Sequence, residues 1–189
     1  MATSQRSAGA TGLTRWELDP AHTTVEFSAK HMMITTLKGR FSDVSGTIEA
    51  DEAHPNRSRA EASIDAASVD TRNGQRDTHL RSADFLDVEH NPVITFRSKR
   101  VEGAAGKAGD SFKVIGDLTI RGTTREVTLD TTYEGKIRDM EGKERAGFSA
   151  TTNIDRRDFG LVWNQALEAG GLLVGNEISI TIEAEAVEV

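Results

Sequence analysis

Residues 64 to 96, IDAASVDTRNGQRDTHLRSADFLDVEHNPVITF, begin and end on strand-like residues and carry between them a charged, helix-compatible insert that ends in an aromatic plug. The flanks predict β-sheet, and the middle predicts a segment that caps it. Asp70 or Thr71 is placed to cap a short polar helix over residues 70 to 81.

Outward from this stretch the chain alternates with period two, the pattern of strands with one dry and one wet face. At the C-terminal end Ile178, Ile180, Ile182, Ala184 and Ala186 oppose Glu177, Ser179, Thr181, Glu183 and Glu185. The same phase groups Val25, Phe27 and Ala29; Val44, Gly46, Ile48 and Ala50; Ala60, Ala62 and Ile64; and Ile94 with Phe96. It continues through Phe112, Val114, Gly116, Leu118 and Ile120, then Val127, Leu129, Thr131 and Tyr133, then Phe148, Ala150 and Thr152. Eight amphipathic strands follow. Parallel sheets covered on both faces need continuous apolar strands, so an antiparallel sheet is predicted. Eight such strands close into a barrel or divide into a sandwich, and the pattern favours neither. Glycine-rich, charged stretches at residues 101 to 111 and 135 to 142 read as hairpin loops. Residues 153 to 174 break the rhythm again as a turn with one short helical segment, a second candidate lid.

The apolar face is unusual in its small residues: Ala29, Gly46, Ala50, Ala60, Ala62, Gly116, Ala150, Ala184 and Ala186. The whole chain has seven Phe, two Trp and one Tyr, which is thin filling for a barrel interior that must otherwise reach crystal-like density. Either two sheets approach closely, or something else occupies the volume. Acidic residues fall almost entirely at outward positions, so an occupant would be largely hydrocarbon.

The 189 residues fit one domain, with residues 1 to 14 expected as a disordered tail and 15 to 189 as the folded unit. There is no Cys, which excludes disulfides and thiolate metal sites. A net charge of −7 argues against nucleic-acid binding and against standing contact with anionic membranes, leaving at most transient membrane contact through a local basic rim. The N-terminal stretch has neither a signal-peptide pattern nor a lipid anchor, and no segment approaches the ~20 apolar residues of a membrane helix, so a soluble, cytoplasmic protein is expected.

Nucleotide and hydrolase motifs are missing, and DFG at residues 158 to 160 stands without the partners of a kinase site. His22, His31, His54, His79 and His90 match no metal-site spacing, so neither a metal nor a catalytic set is expected. His31 lies where a strand meets the rim. Arg76, Asp77, His79 and Arg81 crowd the first lid; Arg76 and Asp77 are adjacent and point apart, which implies partners elsewhere. Arg156 or Arg157 with Asp84 or Asp158 would clamp the lids together.

The phrases WELDPAHTTVEFSAKHMM, LKGRFSDVSGTI, SVDTRNGQRDTHLRSADFLDVEHNPVITF, GDLTIRGTTREVTL, DRRDFGL and WNQALEAGGLLVGNEISITIE span nearly all of Trp16 to Val187, and in this order they resemble the YceI-like family of lipocalin-like, polyisoprenoid-binding proteins. The resemblance implies an all-β fold, an eight-stranded antiparallel lipocalin-like barrel with short helical lids. It also implies a homodimer, no cofactor, and a bound polyisoprenoid lipid as ligand. On that reading Phe27, His31, Met33, Ile48, Ile64, Phe96, Phe112, Leu118, Leu129, Tyr133, Phe148, Trp163, Ile180 and Ile182 line the tunnel. Arg76, Arg81, Arg156 and Arg157 would form a head-group rim. The expected role is non-catalytic binding, carriage or storage of a polyprenyl pyrophosphate or isoprenoid quinone. The alternatives are an enzyme on such a lipid, using His31 or His79 as base, and a ligand-free stress or interaction module.

Overall fold

A computed structural model describes residues 12 to 189. The predicted tail falls mostly outside that range, but Leu13 and Thr14, assigned to it, are the first residues of a strand. Among the described residues there are eleven strands: β1 (Leu13–Leu18), β2 (Thr24–His31), β3 (Thr35–Phe41), β4 (Val44–Asp51), β5 (Arg59–Asp65), β6 (Val69–Asp70), β7 (Val93–Glu102), β8 (Ser111–Ile120), β9 (Thr123–Arg138), β10 (Glu144–Asp155) and β11 (Val174–Glu188). One α-helix, α1 (Gly74–Arg81), lies between β6 and β7.

The strand order β1-β4-β5-β7-β8-β9-β10-β11 closes on itself through a β1–β11 pairing, giving an eight-stranded, all-antiparallel barrel. The remaining strands extend three of its walls. β1 and β2 both run antiparallel to β11, Leu18 opposite Ala186 and Thr24 opposite Glu183, so they are one wall interrupted by the bulge at 19–23. The β3–β4 wall is bent at Ser42 and Asp43, and the β5–β6 wall is broken by the 3-10 turn Ala66–Ser68. Eight walls are therefore made from eleven pieces, and each predicted strand is part of one wall. The predicted loop at 135 to 142 is shorter than its glycine content suggests: β9 runs on to Arg138, and Gly135, at φ 116, lies beside the bulge where β10 shifts register between Gly147 and Phe148.

The helix starts later than residue 70. Asp70 accepts from the Arg72 amide in a local turn, whereas the Asn73 side chain accepts from the Arg76 amide at 3.0 Å and caps α1. After β10 there is a 3-10 turn, Arg156–Phe159, ended by Gly160 at φ 77, and no further helix to Val174.

The apolar interior forms two separate clusters. At the lower end Trp16, Ala146 and Ala186 are buried, with Leu18, Ile48, Ala50, Tyr133 and Phe148 against them. At the upper end, beneath α1 and the 156–174 segment, the cluster is built on Val69, Leu86, Ile94, Leu118, Ile154 and Phe159, with Phe27, Phe41, Ile64, Phe96, Ile178 and Ile180 packed on it.

Candidate functional site

The inward positions of β2, β4, β5, and β7 to β11 carry the predicted lining residues. Leu118 is buried. Phe27, His31, Ile48, Ile64, Phe96, Phe112, Leu129, Tyr133, Phe148, Ile180 and Ile182 are half-buried, although a closed hydrogen-bonded wall stands behind them. A side chain inside a filled barrel would be fully covered. These residues lie on or between two apolar clusters that do not join. Thr131 and Thr152 bring polarity to this interior; Thr131 is buried and its hydroxyl donates to the Leu129 carbonyl. Among the described residues no buried side-chain N or O lacks a hydrogen-bond partner, so the interior presents apolar surface rather than an unmet polar group.

The small residues are not all vacancies. A Cβ on Gly116 would fall 2.7 Å from Phe96 Cζ, and one on Gly46 would fall 2.8 Å from Leu18 Cδ1. Gly39 is covered in the same way by the Phe27 ring, 2.5 Å from the Cβ position. In each case a large neighbour lies over the glycine backbone. Ala146 and Ala186 are small because Trp16 fills the space beside them. Ala29, Ala62 and Ala184 remain half-buried.

Two tunnel assignments change. Met33 is 66% exposed in the β2–β3 turn, at φ 63, outside the barrel. Trp163 lies in the upper lid rather than in a wall: its ring is 4.6 Å from His79 and 5.4 Å from Phe85, joining the 156–174 segment to the α1 segment. His79 Nε2 is 2.8 Å from Asp84 Oδ2, which supplies an orienting carboxylate, but Nδ1 has no hydrogen-bond partner among the described residues. His31 lies at the end of β2, opposite Thr35 and Val174.

The four rim arginines are mostly engaged by the protein itself. Arg156 is 4% exposed and donates to the carbonyls of Gly175 (2.9 Å), Leu161 (2.6 Å), Trp163 (2.8 Å) and Val174 (3.4 Å), and to Asn176 Oδ1. Burial lowers its pKa from the usual arginine value. It clamps the upper lid to β11 through main-chain oxygens, not through Asp84 or Asp158. Arg81 donates to Ala67 O at 2.8 Å and Val69 O at 2.9 Å, tying α1 to the β5–β6 wall. Arg76 reaches Thr71 Oγ1 and Thr71 O, while buried Asp77 accepts from the Thr71 amide and hydroxyl. The adjacent Arg76 and Asp77 thus share one partner. Arg157 is exposed and pairs with Asp155, whose carboxyl it holds down to about 2. Arg121, which pattern reading passed over, spans the two lids by donating to Phe85 O at 3.1 Å and Gly160 O at 3.5 Å. Its only signal in the sequence is the Arg-Gly pair between two strand runs, where both residues adopt positive φ.

At the lower end Asp19, His22 and Glu185 place ligand-type atoms within 4.8 Å of one another. Arg145 donates into Asp19 (2.9 Å), Glu185 (2.6 Å) and Asp139 (2.6 Å), so a guanidinium already holds the position a cation would take.

An antiparallel barrel closed by eight walls, packed below by Trp16 and covered above by the α1 and 156–174 segments, is a barrel of the lipocalin-like kind. The YceI-like domain model matches residues 16–186, and the chain belongs to that family. A UPF0312 protein of Staphylococcus aureus is 36% identical over 174 residues, covering 92% of this chain and 97% of the relative. The crystal structure of a Campylobacter jejuni YceI protein superposes with TM-score 0.70 at 33% identity, covering 85% of this chain and 90% of that one. A polyisoprenoid binding domain from Saccharophagus degradans has TM-score 0.65 at 18% identity, covering 92% and 98%. No helix among the described residues is long and apolar enough to cross a membrane.

Proposed function

We propose that the protein binds a long isoprenoid lipid in the barrel interior, as a carrier or store and not as an enzyme. The observation that carries this is the half-buried apolar lining inside a closed wall, with no unmet buried polar group to recognise anything but hydrocarbon. Membership of the YceI-like family and the fold shared with a polyisoprenoid binding domain support the same class of ligand. Each methylene-sized group buried contributes about 0.8 kcal/mol. Non-covalent binding saturates near about −18 to −21 kcal/mol, so chain-length preference must come from the length of the interior rather than from ever-increasing affinity.

An uncharged head group, as on a quinone, fits this site better than a pyrophosphate, because the guanidinium groups of Arg76, Arg81 and Arg156 are committed to protein oxygens. On the enzyme reading His79 would be the base, yet nothing beyond Asp84 completes a catalytic set around it. We also propose a homodimer, on family resemblance alone, which sedimentation velocity checks.

The test is native mass spectrometry of protein purified without detergent, paired with uptake of a fluorescent isoprenoid analogue. Wild type is expected to carry hydrocarbon-rich mass and to take up the analogue. Ala184→Trp is expected to abolish uptake while leaving the delipidated urea midpoint nearly unchanged. A substituted protein that loses about 1–3 kcal/mol, in a wild-type background that never takes up lipid, would mean a packed interior and end the proposal.

A further inference from the structure

We infer that the β2–β3 hairpin tip, together with the adjoining edge of the upper lid, docks the protein on an anionic lipid bilayer.

The tip is Met32-Met33-Ile34, with the Ile34 amide donating to His31 O at 3.2 Å across a two-residue turn. Both central residues are left-handed, Met32 at φ 50 and Met33 at φ 63. Asn-Gly ordinarily occupies such a turn, because a bulky side chain there is strained. Backbone strain of this kind persists where something other than local preference selects the side chains. Here the selected side chains are apolar and face water: Met32 is 43% exposed, Met33 66% and Ile34 78%. The lid extends the patch. The Met32 amide donates to Leu173 O at 2.8 Å, Met33 Sδ lies over Gly171, and Leu172 beside them is 40% exposed.

Charge identifies the occupant. From Phe27 to Ser42 the chain carries Lys30, Lys38 and Arg40 and no acidic residue, within a protein of net charge −7; Arg40 pairs with Asp70 of β6, which leaves Lys30 and Lys38 as the cations of the stem. Lys30 and Lys38 are exposed on the stem below the tip. Flexible apolar side chains projecting beyond a cationic stem are the arrangement of an interfacial anchor, with the tip entering the acyl boundary and the lysines meeting anionic head groups. The patch also borders the lid segment that Arg156 latches, so docking would set that lid against the bilayer. The hairpin at the opposite end is a built-in control. It exposes Ile137 and Met140, but its charges are balanced and paired, Arg138 with Glu144 and Arg145 with Asp139, so it lacks a stem of one sign.

The experiment is co-sedimentation of the full chain with vesicles of phosphatidylcholine alone and of phosphatidylcholine mixed with phosphatidylglycerol, at low and high salt. It reads vesicle association and not cargo uptake, so it fails or succeeds independently of the proposed lipid binding. Wild type is expected to bind the mixed vesicles and to be released by salt. Lys30→Glu and Lys38→Glu should each weaken binding roughly fivefold or more. Met33→Asp and Ile34→Asp should weaken it by at least as much, and Met140→Asp should leave it unchanged. Because the altered side chains are exposed, circular dichroism should be identical for all variants. Wild type that binds neither vesicle overturns the inference, as does equal loss from Met140→Asp. A shift in sedimentation coefficient for Ile34→Asp without any vesicle binding would make the patch a self-association surface instead.

Discussion

The two ends of the barrel are closed by different physics. Below, Trp16 is 4% exposed and sits among Ala146, Ala186, Ile48 and Phe148, so closure is hydrophobic packing within the wall strands themselves. Above, closure depends on segments outside the walls, held by guanidinium hydrogen bonds to main-chain carbonyls and by the His79, Phe85 and Trp163 rings. A packed plug opens only when the barrel unfolds. A latch of directional bonds is released when those few bonds break, leaving the walls intact. On the proposed lipid-binding reading, the upper end is the one that would admit a ligand.

The sharpest way to break this comparison is Trp16→Ala. It should cost about 3–5 kcal/mol in urea unfolding, through a cavity that the strand-bound neighbours cannot collapse to fill. Arg156→Leu should cost less, about 2–4 kcal/mol, because several carbonyls lose a charged donor while the walls keep their ladder. The two variants should differ in kind as well as size. Hydrogen exchange in Arg156→Leu is expected to rise across 160–175 while β8 to β10 stay protected, whereas Trp16→Ala should loosen the barrel globally. Uniform exchange in both would mean that the upper end is as integral as the lower.

Gly116→Ala refines the boundary between filled and unfilled interior. The new methyl meets Phe96 Cζ and the Arg97 carbonyl, and overpacking of about 1–3 kcal/mol is expected from the denaturation midpoint. A neutral result would mean that both the Phe96 ring and the β7 backbone at Arg97 and Ser98 give way.

The smallest effect is electrostatic and belongs to the lower end. Hydrogen bonds from His22 and Arg145 pull the Asp19 carboxyl down to about 2 from 3.8. A depressed carboxyl stabilises the fold above its unfolded value, and that contribution is lost as pH falls from 3.8 towards 2. His22 has the opposite sign: its pKa is raised, chiefly by Asp19, so its contribution is present below 6.5 and lost as pH rises through the folded value. His22 is solvent-facing, so its slope should be shallow. Arg145→Met should flatten the acid-side slope, checked by thermal unfolding across pH. The latch bonds to Leu161 and Trp163 accept on carbonyls and do not titrate in this range.

Period-two alternation was enough to place a strand in each of the eight walls, because the choice between a wet and a dry face is local to each strand. It assigned inward phase to Phe27, Phe96, Leu118 and Ile180 for the same reason. Family motifs decided for a barrel over a sandwich, which alternation left open. What the sequence could not determine is where a side chain's partners come from. The β1–β2 wall is broken because β11 pairs with two strands in succession and a bulge must absorb the difference, a fact about register between residues some 160 positions apart. Gly46 and Gly116 looked like empty space, and only packing shows a neighbour lying over each. Arg76, Arg81 and Arg156 looked like a rim of free charge, because a main-chain carbonyl leaves no mark on residue type. Tertiary structure alone brought those oxygens within reach and turned a candidate head-group site into the latch of a lid.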